Sequence, residues 1–202
     1  LPFQNGQVHR DDLVEQYGME LLQNYSSEQI NTKFKDYYKF MFVRNPYDRL
    51  LSAFKNKIER KTDVYEVFLK DMNEEVWNNT LPSNATITFV NVLDFIIYRL
   101  NLGQPVDIHF SPYKNLLNPC GLKFDFIGKI ETWTQDAPVI LRHLFDEENV
   151  EIPQENSSEN TKSPKEYYAK IPGAVIKKIH ELYKEDFEMY GYSYPDYIKS
   201  KL

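Results

Sequence analysis

Arg44, Arg49 and Ser52 offer the plainest chemistry in this sequence of 202 residues. They lie in the string Arg44-Asn45-Pro46-Tyr47-Asp48-Arg49-Leu50-Leu51-Ser52, where a short apolar run gives way to a helix start signal. Asn45 is a good N-cap and Pro46 suits the first helical position, while Asp48 falls three residues past the cap, where its carboxylate can reach back to exposed amides. Arg44 then leaves a strand at its carboxyl end, the place where open α/β sheets bind ligands. Arg49 and Ser52, three apart, share a face near the helix's amino end, where unpaired amides favour an anion. Two guanidinium groups, a hydroxyl and a helix terminus together suit a phosphate. The plainer reading of the same residues is an arginine pair in surface ion pairs.

A second group of candidates follows later in the chain. His109, in Asp107-Ile108-His109-Phe110, falls in an irregular segment, where functional residues concentrate, and a neutral imidazole suits proton removal; a hydrogen-bonded structural histidine is the alternative. Lys129 and Glu131 follow a second short strand, again at a sheet's carboxyl edge, so they are candidate cofactor or acceptor contacts, with a structural ion pair as the alternative. His143 and His180 sit on expected helices among apolar neighbours and His9 lies near the first residue; all three read as structural. Tyr183, Phe187, Tyr190, Tyr192 and Tyr194 read as core and carboxyl-terminal packing rather than a platform for a sugar.

The elements that must position these residues follow from local pattern. Tyr37–Val43 reads as a buried strand, with a helix from Asn45 through Lys57 or beyond. Helices are expected at Asp11–Leu22, Ser27–Phe34, Val90–Leu100, Thr134–Phe145 and Ala174–Tyr190, the last stopped by Gly191, with a second strand at Phe124–Ile127 closed by Gly128. Residues 72–88, 101–121 and 152–163 read as loops. Strands alternating with helices favour an α/β architecture with a parallel sheet, in one domain spanning residues 1–202. No apolar run approaches the roughly 20 residues that cross a bilayer. A net charge of −6 argues against a general nucleic-acid partner. Yet residues 33–61 hold nine basic side chains against three acidic ones, which suits a focused site for a small anion. A single cysteine, Cys120, excludes an internal disulfide framework and a Cys-based zinc site, and no metal is expected.

The string FVRNPYDRLLSAFKNK resembles the 3′-phosphate-binding segment of Golgi carbohydrate sulfotransferases, in the branch of the chondroitin and dermatan 4-sulfotransferases and the HNK-1 sulfotransferase. ITFVNVLDFIIY, DIHFSPYKNLLNPC, FDFIGKIETWTQDA, YYAKI and ELYKEDFEMYGYSYP extend the resemblance in the family's order over nearly the whole chain from about residue 25. It implies the PAPS-dependent sulfotransferase fold, a parallel sheet flanked by helices and P-loop NTPase-like. The implied activity is transfer of a sulfuryl group from 3′-phosphoadenosine-5′-phosphosulfate (PAPS) to a sugar hydroxyl of a glycan or proteoglycan. Carried over, Arg44 and Ser52 hold the 3′-phosphate with Arg49 in support, His109 falls in a block that carries a histidine in the family, and Lys162 and Ser163 lie where a loop closes over the nucleotide. The implied acceptor is the 4-hydroxyl of N-acetylgalactosamine in chondroitin or dermatan. The alternatives are an HNK-1-type glucuronic acid 3-O-sulfotransferase and a non-catalytic glycan-binding module.

The sequence also departs from the family pattern. The Pro-Lys loop that cradles the 5′-phosphosulfate is not found, so the expectation is a partial domain, lacking the first strand and that loop and with little activity by itself. Leu117 stands where the family usually has a second cysteine beside Cys120. Four Asn-x-Ser/Thr sequons, at Asn24, Asn78, Asn84 and Asn156, are consistent with glycosylation in the secretory pathway. The resemblance implies a type II membrane protein of the Golgi lumen, anchored by a segment outside this chain.

Overall fold

The computed structural model describes residues 20–80, 82, 85–117, 121–145 and 162–201. The expected helix at Asp11–Leu22 falls almost wholly outside these residues, as do His9, Asn84, Cys120 and Asn156. The chain divides into two compact units, Leu1–Lys39 and Phe40–Leu202.

In the first unit, a 3-10 turn at Leu22–Asn24 leads into α1, Ser27–Asp36. A full capping box starts this helix: the Gln29 amide donates to Ser26 Oγ, and the Ser26 amide donates to Gln29 Oε1. Ser26 is also the hydroxyl of the Asn24 sequon, and Asn24 itself is exposed.

The second unit carries the candidate site. Strand β1 (Phe40–Val43) pairs in parallel with β2 (Phe126–Lys129), Phe40 opposite Phe126 and Val43 opposite Lys129. Among the described residues these two strands make the whole sheet, and the remaining elements are helical, a helix-rich α/β arrangement. Gly128 does not close β2 but sits inside it, opposite Phe42. A Cβ at Gly128 would lie 2.4 Å from the Phe42 ring, which packs on Trp133 at a centroid distance of 4.7 Å. Glycine is required there by a close approach of side chain to backbone.

Helix α2 (Pro46–Ala53) begins as expected, with Asn45 as N-cap accepting from the Tyr47 amide. Asp48 does not turn back to the amides; its carboxylate accepts from the Tyr197 hydroxyl at 2.6 Å. After Ala53 the helix widens into a π-helix over Phe54–Glu59 and stops at Lys61, whose φ of 50° is left-handed. Helix α3 (Asp63–Glu75) takes in residues whose composition reads as loop. Helix α4 (Phe89–Asn101) has a Thr88–Asn91 capping box, and a five-residue helix, α5 (Tyr113–Leu117), interrupts the expected loop that follows.

A 3-10 turn (Ile130–Thr132) and α6 (Trp133–Phe145) follow β2. The carboxyl-terminal part comprises α7 (Pro164–Ala169), α8 (Gly173–Leu182), α9 (Lys184–Met189) and α10 (Asp196–Lys199). The single helix expected at Ala174–Tyr190 is therefore two, separated at Tyr183 and ended before Gly191 at φ 61°. The core joins α2, α3, α4 and α8 through Leu50, Phe54, Phe68, Leu93, Ile96 and Ile179. None of the helices among the described residues is long and apolar enough to cross a membrane.

Candidate functional site

The site is built where β1 hands over to α2. Asn45 is only 6% exposed and makes three polar contacts. Its Oδ1 accepts from the Tyr47 amide at 3.1 Å, its Nδ2 donates to the Ser193 carbonyl at 3.1 Å, and its own amide donates to Glu131 Oε1 at 2.7 Å. Glu131 Oε2 in turn accepts from the Tyr192 hydroxyl at 3.0 Å. The ends of both strands are thus tied together, and Glu131 has a structural part in the turn. Lys129 lies over the Tyr192 ring at 4.6 Å while its amide donates to Asp136. Burial first, then the Glu131 charge and hydrogen bond, push the Tyr192 phenol well above its ordinary range; the Arg44 charge works in the other direction.

Arg44 is half-buried. Among the described residues its guanidinium has no hydrogen bond or ion pair, although it lies close enough to Tyr192 and Tyr197 to favour their ionised forms. A cation without a partner among the described residues at a strand's carboxyl end suits an anionic ligand. Ser52, also half-buried, sits one helical turn beyond Arg49 on α2. Arg49 itself is engaged. Its two terminal nitrogens donate to the carbonyls of Ser111 at 2.6 Å and Ile108 at 3.0 Å, and its guanidinium lies 4.2 Å from the centre of the Tyr113 ring.

His109 lies between those two carbonyls in sequence. Its Nδ1 is 2.7 Å from Asp107 Oδ1, and its amide donates to the same oxygen at 2.9 Å. Burial raises the Asp107 carboxyl, but the two hydrogen bonds and the His109 and Lys57 charges outweigh it and hold the group below its ordinary value. An ionised Asp107 requires the proton on His109 Nδ1, which leaves Nε2 as a proton acceptor; the side chain is 37% exposed.

Lys162 lies elsewhere. It lines a pocket of about 530 Å³ formed by Phe54, Ile58, Tyr65, Phe89 and Tyr167 among others. Phe54 is two residues past Ser52, on the opposite side of the helix. Lys55 lies on the pocket side, its Nζ donating to the Lys162 carbonyl at 3.1 Å and lying 5.0 Å from the centre of the Tyr167 ring. Tyr167 donates to Glu59 at 2.7 Å and is pushed up to about 12 by burial and by that carboxylate.

His180 packs against Tyr194 and Phe187, with burial lowering its pKa, and His143 lies on α6. The sequence reading placed Tyr192 in a packing string, whereas the structure brings it beside Arg44, Lys129 and Glu131. It also passed over Asp186, a buried carboxylate that accepts from the Tyr113 and Lys114 amides at 2.8 and 3.3 Å. Burial raises its carboxyl above the ordinary value despite these bonds. Its one sequence signal is an acidic residue between apolar positions of a helix. Among the described residues no cluster of His, Cys, Asp and Glu is arranged to hold a metal ion.

The profile of the sulfotransferase family matches residues 3–193, nearly the whole chain. The chain belongs to this family. Among curated proteins this sulfotransferase is 33% identical to carbohydrate sulfotransferase 12 of Mus musculus over 184 residues, 85% of this chain and 44% of that protein. It is 30% identical to carbohydrate sulfotransferase 11 of Rattus norvegicus, over 90% of this chain and 54% of that one. Identity to carbohydrate sulfotransferase 14 of Danio rerio is likewise 30%, over 93% of this chain and 51% of the relative. The sulfotransferase chain thus spans about half the length of the curated relatives it matches. No solved structure matches it.

Proposed function

We propose that this protein transfers a sulfuryl group from PAPS to a hydroxyl of a glycan in the Golgi lumen, with the 4-hydroxyl of N-acetylgalactosamine in chondroitin or dermatan as acceptor. The observation that carries the reading is the guanidinium of Arg44, without a partner among the described residues, at the carboxyl end of β1, followed by Ser52 on α2, in a chain whose relatives are named carbohydrate sulfotransferases. A half-buried cation and a hydroxyl fit the 3′-phosphate that distinguishes this donor from ordinary adenine nucleotides. PAPS, when bound, supplies the sulfuryl group that passes to the acceptor oxygen.

The residues of the chain then have distinct tasks. Arg44 and Ser52 hold the 3′-phosphate by charge-assisted and hydroxyl hydrogen bonds. His109 Nε2 takes the proton of the acceptor hydroxyl, while Asp107 fixes Nδ1–H and stabilises the imidazolium that forms. Lys129 stands at the end of β2 as a cation for the anionic donor or acceptor, and Glu131 holds the turn on which Arg44 sits. Lys162 lines the pocket on the other side of the helix and is given no part in holding the 3′-phosphate.

Calorimetric titration with 3′,5′-adenosine bisphosphate, with 5′-adenosine monophosphate as control, tests this. The bisphosphate should bind and the monophosphate should not compete with it. Arg44→Ala should cost about 2–5 kcal/mol, the range for losing one partner of a buried charge pair. Equal affinity for the two nucleotides, or no effect of Arg44→Ala, would overturn the donor assignment.

A further inference from the structure

We propose that Arg49 is a positioning residue, which locks the segment carrying the Asp107–His109 pair onto the helix that carries Ser52. The inference rests on the reading of His109 as the base. Five residues after Arg44 and three before Ser52, Arg49 has the spacing of a second phosphate ligand. The geometry gives it different work: its two terminal nitrogens hold the carbonyls of Ile108 and Ser111, so that His109 falls inside the bridge.

The rest of the segment is fixed in the same manner. The Tyr183 hydroxyl donates to the Phe110 carbonyl, and buried Asp186 receives the amides of Tyr113 and Lys114. Phe110 is fully buried and Ser111 nearly so. Three anchors therefore hold the backbone from Ile108 to Lys114, of which Phe110 and Ser111 lie in the interior, where an unpaired carbonyl is costly. Of the three, only Arg49 comes from α2. A shift of α2 is thus passed to both sides of His109, and the donor helix and the base cannot move independently.

Arginine is needed for this because one planar fork reaches two carbonyls at fixed angles while its face packs on Tyr113. A lysine ammonium keeps the charge but not the fork. Among the described residues, the charged groups around the segment include Asp107, His109, Lys57, Lys114, Glu131, Glu185 and Asp186.

The test uses this 202-residue chain with two readouts. The first is the neutral tautomer of His109, read from two-dimensional nitrogen–proton spectra of histidine-labelled protein, with His109→Gln assigning the signals. The second is calorimetric affinity for 3′,5′-adenosine bisphosphate. In the parent chain His109 should carry its proton on Nδ1. In Arg49→Lys the segment should loosen, the tautomer should move toward the Nε2–H form of free imidazole, and nucleotide affinity should change less than about threefold. Arg49→Ala should act in the same direction and further. Should Arg49→Ala fail to fold, Arg49→Lys decides alone.

An unchanged tautomer in Arg49→Lys would overturn the proposal. So would a tenfold or greater loss of nucleotide affinity with the tautomer intact, which would make Arg49 a phosphate ligand. If the parent chain does not bind the nucleotide at all, the donor reading fails, and the tautomer still reports on Arg49.

Discussion

Replacing Asn45 with alanine tests the idea that one buried amide secures the start of α2 where it leaves β1. The side chain makes two hydrogen bonds that alanine cannot: the cap on the Tyr47 amide and the link from Nδ2 to the Ser193 carbonyl. Loss of an N-cap of this kind costs about 1 kcal/mol. The second bond adds about 1 kcal/mol, the net worth of an ordinary hydrogen bond, because Ser193 is exposed and water can replace the donor. The total is about 2 kcal/mol, or roughly 4–8 °C in melting temperature for a chain of this size. Asn45→Ser keeps an oxygen at the cap and loses only the Ser193 bond, so it should fall about midway. Circular dichroism melts and urea titrations of the three proteins read both differences. The reasoning fails if Asn45→Ala lies within about 0.5 kcal/mol of the parent, a gap no larger than an ordinary surface substitution gives. It also fails if serine is no better than alanine, since the cap would then contribute nothing.

Three further expectations follow from the same geometry. Gly128→Ala would drive a Cβ into the Phe42 ring and should destabilise the chain by about 1–3 kcal/mol, as overpacking usually does, with the loss visible in the Trp133 fluorescence of the unfolding curve. Asp107 is held below its ordinary value, so its stabilising contribution is complete above the unfolded value of about 3.9 and disappears as pH falls through the folded one; Asp107→Asn should therefore be less stable than the parent at pH 7, with the difference shrinking as the pH falls through the lowered folded value. Burial raises Tyr47, Tyr168, Tyr183, Tyr192 and Tyr197 far above the ordinary phenol value, so an absorbance titration should show these five of the fifteen tyrosines ionising only as the chain unfolds in alkali. Their contribution is complete below about pH 10 and is lost as pH rises toward the folded values.

What the sequence showed most directly was local and chemical. The start of α2 is written in Asn45 and Pro46 because a cap is a matter of two or three adjacent residues. The same holds for the long apolar pattern of α4 and for the placement of Arg44 at the end of a strand, whereas the capping box that starts α1 was found only in the structure. What escaped was set by distant partners. Asp48 looks like a first-turn acid, but Tyr197, 149 residues away, takes its carboxylate. Tyr183 looks like one position of a continuous helix, yet its hydroxyl reaches the Phe110 carbonyl and the backbone breaks there. Gly128 reads as a strand end because glycine usually punctuates; the Phe42 ring pressed against it has no local signal. Arg49 shows how spacing can indicate the side of a helix without saying what waits there. His109 and Asp107 are two residues apart in an irregular stretch, so their pairing depended on a turn that pattern alone does not reveal.

The widening of α2 into a π-helix at Phe54–Glu59 has a consequence for how this segment tolerates change. An α-helix couples every residue to every other by a rotation of about 100° per step, so a change of length at one end turns the whole far side. A π turn absorbs one additional residue without continuing that rotation in step. Upstream of it the helix carries Arg49 and Ser52; downstream it carries Ile58, buried in the core, and Lys57 beside Asp107. The widened turn works like a differential between two shafts, letting the half that carries Arg49 and Ser52 and the half that carries Lys57 and Ile58 each seat its own apolar residues in the core. Removing one residue within 54–59 should therefore draw the turn back into regular α-helix while both halves keep their faces, whereas the same deletion within Pro46–Ala53 should swing the residues before it by about 100°.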